Sequence, residues 1–250
     1  MSLVFRCFFF LSLFLIQVAA CAQSTGTKTS KPATRHDDWR RIAIPALPPP
    51  NDPAELQILK ERGDVFDSFS ITGVPLDQPQ PARAGGSSRS IGNRTELPFF
   101  DNEAIVVATF DSYQPYLTLT RLATYTDVKL SVEQVLAPGP TQILPGQLAD
   151  LLIDGGCIKL ENGKTINDVR YDDFGIYSIQ PGHRYVLVLQ HHAKGQFFTS
   201  EKDWELVEGV AVPEAIDDVA RVREGNAKYS GLSERTFLDA IRGELSKHQN

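Results

Sequence analysis

The chain has 250 residues, enough for one domain with appendages, and carries 25 basic against 31 acidic side chains. The formal charge of −6 gives no electrostatic pull toward nucleic acid and little toward anionic lipid. Its three cysteines, Cys7, Cys21 and Cys157, are too few for a disulfide framework, so an apolar core must hold the fold.

Residues 1–21 read in three parts. Arg6 is the only charge, an apolar run from Cys7 to Ile16 follows, and Val18, Ala19, Ala20, Cys21 and Ala22 close the segment with small residues. This is the pattern of a secretory signal, assigned to residues 1–20. The run is short of the roughly 20 apolar residues that span a bilayer, which disfavours an uncleaved anchor. No basic cluster follows it. Two cleavage readings stay open. Val18-Ala19-Ala20-Cys21 resembles a bacterial lipobox, in which Cys21 becomes the first mature residue and is lipidated. Ala20-Cys21-Ala22 also fits ordinary cleavage before Gln23. The lipobox is preferred because cysteine is rare here and stands where that motif needs it. It implies a lipid anchor in the cell envelope, on the outer membrane of a Gram-negative cell because Ala22 replaces the retention aspartate. The other cut implies a periplasmic or secreted protein. Either way Arg6 leaves, and 24 basic residues face 31 acidic ones, a formal −7.

An arm follows over residues 21–96. Residues 23–38 are polar and read as a disordered tether, and Pro45 with Pro48, Pro49 and Pro50 favours extended polyproline geometry. A short helix is expected over 53–62, with Asp52 as cap, Pro53 in its first turn and Gly63 ending it. Residues 73–94 return to linker composition.

A β domain is expected over 97–212. Runs at 104–110 and 116–121 read as two strands, and Val128, Leu130 and Val132 alternate with polar residues as in a half-buried strand, with a bulge at Gln134. A strand at 148–153 comes next. Asn162-Gly163 marks a hairpin of type I′, and residues 185–189, apolar on both faces, read as a central strand. A final hairpin spans 205–212. Helices are expected at 214–223 and 233–247 within a C-terminal region of 213–250. Ser233 caps the second of these, and Phe237, Leu238, Ile241 and Leu245 form one stripe. Seven or eight short strands divided by turns make the fold class mainly β, a closed or partly open barrel or a sandwich.

Val132-Glu133-Gln134-Val135-Leu136, Pro145-Gly146, Gly155-Gly156 and the run from Pro181 to Leu187 resemble a group of uncharacterised exported bacterial proteins. The resemblance covers about residues 104–212 and implies an OB-like barrel, distantly similar to netrin and metalloproteinase-inhibitor modules. Its motifs are turn and core residues, which speak to fold. Animal inhibitor modules rely on a disulfide-held N-terminal cysteine, which has no counterpart here.

Catalytic motifs are scarce. Gly163-Lys164-Thr165 has the tail of a phosphate loop, but Ile158 stands where that loop needs glycine. His191 and His192 are the weak ligand or metal candidates, although neighbours on a continuous strand point to opposite faces. His183 reads as turn surface. Cys157 reads as a small buried hydrophobe. Asp172-Asp173 and Asp217-Asp218 lack the spaced oxygens of a calcium loop. Tyr113, Tyr116, Tyr125, Tyr171, Phe174 and Tyr177 read as core-edge packing, with a stacking surface as the rival. The sequence therefore suggests a binding or interaction protein of the bacterial envelope, with no cofactor or metal. It would meet the membrane through its lipid anchor and bind an envelope protein or small ligand, but not nucleic acid. An envelope hydrolase with an unfamiliar site, or an inhibitor-like module, are the alternatives.

Overall fold

A computed structural model describes residues 39–68, 70, 73–79, 103–141, 143–168, 179–213, 229 and 231–248. The export signal with Cys21, the tether, most of the linker and the helix expected at 214–223 lie outside them.

Nine strands and two α-helices follow one another among the described residues. A 3-10 turn, Trp39–Arg41, leads into β1 (Ile44–Pro45) and α1 (Pro53–Asp67). Next come β2 (Glu103–Leu117), β3 (Thr124–Ala137), β4 (Leu148–Asp154), β5 (Cys157–Lys159) and β6 (Thr165–Asn167). The chain ends with β7 (Arg184–His192), β8 (Phe197–Val207), β9 (Val210–Pro213) and α2 (Glu234–His248). The main sheet runs β4-β3-β2-β7-β8-β9, and β4 also meets β8 in parallel at Leu151 and Phe198. The sheet thus curls partly into a ring. A smaller sheet, β1-β5-β6, stands beside it.

Strand alternation explains why so much of the chain is apolar. On β2, Ala104, Val106, Ala108 and Phe110 face one core, while Ile105 and Val107 face another. The first core lies inside the curl, with Leu130, Leu151, Leu187 and Leu189. The second is covered by α2. Its Phe237, Leu238 and Ile241 pack on Val186, Val188, Trp204 and Leu206, each contributing about 1.5–3 kcal/mol of burial. Ser233 caps that helix by accepting from Thr236 N at 3.3 Å.

Several expectations change. The run at 104–110 and the start of the run at 116–121 are one strand, β2, which continues through a bulge at Asp111 and ends at Leu117, with residues 118–121 in the turn that follows. Pro115 is tolerated because β7 leaves β2 at Thr109, so the proline has a strand neighbour on one side alone. The bulge expected at Gln134 is present, since Val107 pairs with Gln134 and Ala108 with Val132. Asn162-Gly163 does turn a hairpin, but only Gly163 has positive φ (80°), and Gly163 N bonds Leu160 O at 2.9 Å. That is a type I turn closed by one left-handed residue. Positive φ at both central positions occurs instead at Glu208 (49°) and Gly209 (77°), between β8 and β9.

Two changes concern the arm. Asp52 caps α1 as expected, accepting from Ala54 N at 2.9 Å, yet the helix passes through Gly63 to Asp67. A Cβ at position 63 would stand 3.4 Å from Thr118 Cβ, an ordinary contact, and this buried glycine lies inside the helix without ending it. Trp39 joins the inner core at 4% exposure, and its indole N–H donates to Ile179 O at 2.6 Å. No helix among the described residues is long and apolar enough to cross a membrane.

Candidate functional site

A dense polar cluster lies between α1 and the face of β3 and β4 turned away from the inner core. Alternation on β3 sends Val128 and Leu130 inward and leaves Tyr125, Asp127 and Lys129 on the opposite face. On β4 the same rule places Asp150 and Leu152 beside them, and Lys129 stands directly across from Asp150. Lys129 Nζ reaches Asp150 Oδ1 at 2.6 Å and Asp127 Oδ2 at 3.1 Å.

Arg62 of α1 closes the cluster from above. Its guanidinium donates to Asp127 Oδ2 at 2.9 Å, Asp150 Oδ2 at 2.6 Å and the Gly195 carbonyl at 2.9 Å. Glu61 Oε2 accepts from Gly195 N at 2.8 Å, so the β7–β8 turn is held from both sides. The β2–β3 turn is tied as well, through Thr120 Oγ1 donating to Asp67 Oδ2 at 2.6 Å. Below the helix, Phe66 stacks on Tyr125 (5.1 Å) and Tyr125 on Tyr116 (5.5 Å), with Leu59, Val65 and Leu152 alongside.

The four charges are not equivalent. Burial pushes the Asp127 carboxyl up, Asp150 adds to this, and Lys129 and Arg62 offset only part. Burial also pushes Asp150 up, but hydrogen bonds from Lys129 and Arg62 outweigh it and hold that carboxyl below its usual range. Burial raises the Tyr125 phenol strongly. Two cations and two carboxylates at hydrogen-bond distance form a clasp of mutually paired charges.

The residues singled out by sequence fall elsewhere. His191 and His192 point to opposite faces of β7. His191 lies against Phe198 with ring centroids 5.2 Å apart, and burial lowers its pKa. His192 stacks on Phe197 at 4.6 Å and shares a hydrogen bond with Thr199 Oγ1 at 2.9 Å. Among the described residues, no three His, Cys, Asp or Glu side chains are grouped to hold a metal. Cys157 is buried at 3% exposure, and burial raises its thiol pKa. His183 is not plain turn surface, because its Nδ1 pairs with Glu205 Oε1. Tyr113 packs 4.4 Å from Trp39. Cys21, Tyr171, Asp172, Asp173, Phe174, Tyr177, Asp217 and Asp218 lie outside the described residues.

Sequence reasoning passed over Arg62, Asp127 and Asp150. The available signal was the polar alternation Tyr125-x-Asp127-x-Lys129 opposite an acidic residue within the apolar run 148–153. Arg62 carried none, since its partners are 65 and 88 residues away in the chain. No protein-family model matches the chain, and no curated protein matches it either.

Proposed function

We propose that this is an exported protein, held on the envelope by acylated Cys21, that binds an envelope protein through one face of an OB-type barrel and performs no chemistry of its own. The observation that carries the reading is where the clasp sits relative to the strand order. Taken around the curl, the strands run β2-β3-β4-β8-β7 and back to β2, antiparallel except at β4–β8. This order is the one expected of a five-stranded OB barrel and supports that reading; such barrels engage ligands with their second and third strands and the turns after the first and fourth. Those parts correspond to β3, β4, residues 118–123 and residues 193–196, which surround Arg62, Asp127, Lys129 and Asp150. The formal −7 of the mature chain favours a cationic protein surface over nucleic acid.

The test is site-specific photocrosslinking in living cells. A crosslinking residue at Leu119 in the β2–β3 turn, 42% exposed, or at exposed Lys194 in the β7–β8 turn, is expected to capture the same partner. The same residue at exposed Glu208, in the β8–β9 turn, is expected to capture none. Adducts of equal yield at all three sites, or none at Leu119 and Lys194, would overturn the reading.

A further inference from the structure

The helix α1 lies where the proposed binding face should be open, and polar contacts hold it there more than buried apolar area does. Of its fifteen residues only Gly63 and Phe66 are buried. By contrast, α2 sinks Phe237, Leu238 and Ile241 into its core. The ground beneath α1 is also incompletely matched by it. Tyr125 is fully buried, yet its hydroxyl has no hydrogen-bond partner among the described residues, and neither does Asp127 Oδ1. The two residues are neighbours on one face of β3, a donor and an acceptor side by side.

We propose that α1 is a built-in strap that occupies the chain's own binding face and yields to a segment of an envelope protein carrying an arginine between apolar side chains. The inference rests on the reading of that face as a binding surface. The chemistry of the competitor is read from the strap it replaces. A planar guanidinium can bridge Asp127 and Asp150 as Arg62 does, which a lysine cannot do with the same fork. An apolar side chain takes the place of Phe66 on Tyr125. A polar group of the incoming segment satisfies the Tyr125 hydroxyl and Asp127 Oδ1. Lys129 makes the exchange feasible: it contacts both carboxylates, so neither is left without a counter-charge when Arg62 withdraws.

The experiment uses a labelled peptide with the sequence of residues 52–68 as surrogate for the incoming segment. It must compete with a tethered copy of itself, so the host chain carries Phe66→Ala to weaken the resident strap. The peptide is expected to bind this chain at least tenfold more tightly than the unaltered chain, and a peptide with Arg62→Gln to lose at least tenfold. A second arm needs no weakened helix. Gly63→Cys with Thr118→Cys brings two Cβ atoms to about the 3.4 Å seen for an ideal Cβ at Gly63, near disulfide range. Oxidation should then abolish the Leu119 and Lys194 adducts in cells, and reduction should restore them. Peptide binding equal in both chains, or adducts of equal yield in both redox states, would overturn the strap, and the latter would leave the binding reading standing. Adducts absent in both states would overturn the binding reading and the strap with it.

Discussion

Replacing Trp39 by alanine is expected to destabilise the folded unit by about 3–5 kcal/mol, the cost of emptying a buried aromatic site. At about 2–4 °C per kcal/mol for a unit of this size, calorimetry should record a fall in Tm of roughly 10 °C. The effect is large because Trp39 does three things at once. It fills the inner core at 4% exposure, it meets Phe110 edge-on at 5.1 Å, and its N–H satisfies the Ile179 carbonyl. Trp39→Phe should keep most of the packing and lose the hydrogen bond, for a cost of about 1–2 kcal/mol. An alanine variant less than about 1 kcal/mol weaker would mean that residues 39–45 rest on the surface and that the domain does begin beyond the arm.

Removing Arg62 should have the second largest effect, and one that depends on pH. At neutral pH, Arg62→Ala leaves Asp127, with its side chain 4% exposed, and Asp150 to share Lys129 alone. Breaking one side of a buried ion pair costs about 3–5 kcal/mol, and the remaining lysine should reduce this to roughly 2–4 kcal/mol. The direction with pH follows from the carboxylates. Asp150 titrates below its usual value in the native protein, so its stabilisation is complete above the unfolded pKa and is lost as pH falls through the folded one. Asp127 titrates above its usual value, so on its own it favours the native state when protonated, and this preference is lost as pH rises through its folded pKa. Arg62 stabilises both carboxylates only when they are ionised. The gap between wild type and Arg62→Ala should therefore be widest near neutrality and narrow below the carboxylate range, as read by denaturant titration at several pH values. A gap independent of pH would show that Arg62 contributes packing alone.

The parts of this fold legible in the sequence are those set by local chemistry. The Asp52 cap, the stripe of α2 and the glycine turns all depend on residues within a few positions of one another. The central placement of β7 followed from its two apolar faces, which no edge strand sustains. What escaped was set at long range. Gly63 looked like a helix end because the contacts that hold the last turn of α1, such as Thr120 with Asp67, are made far along the chain. Pro115 belongs inside a strand because β7 happens to part from β2 at Thr109. Trp39 stood in a polar, proline-rich stretch, and its burial rests on Phe110 and Ile179, 71 and 140 residues on. The clasp combines both situations. Asp127 and Lys129 could be seen alternating on β3, but the cation that joins them comes from the helix expected to stop there. The histidine pair attracted notice for its chemistry, and β7 separates its members as strand alternation requires.

The proposed anchor at Cys21 is open to direct measurement. The intact mass of the protein taken from the envelope of its own cells should correspond to a chain starting at Cys21 and bearing several acyl chains, since one chain alone anchors only marginally. The protein should enter the detergent phase. A soluble product of unmodified mass starting at Gln23 would contradict the anchor.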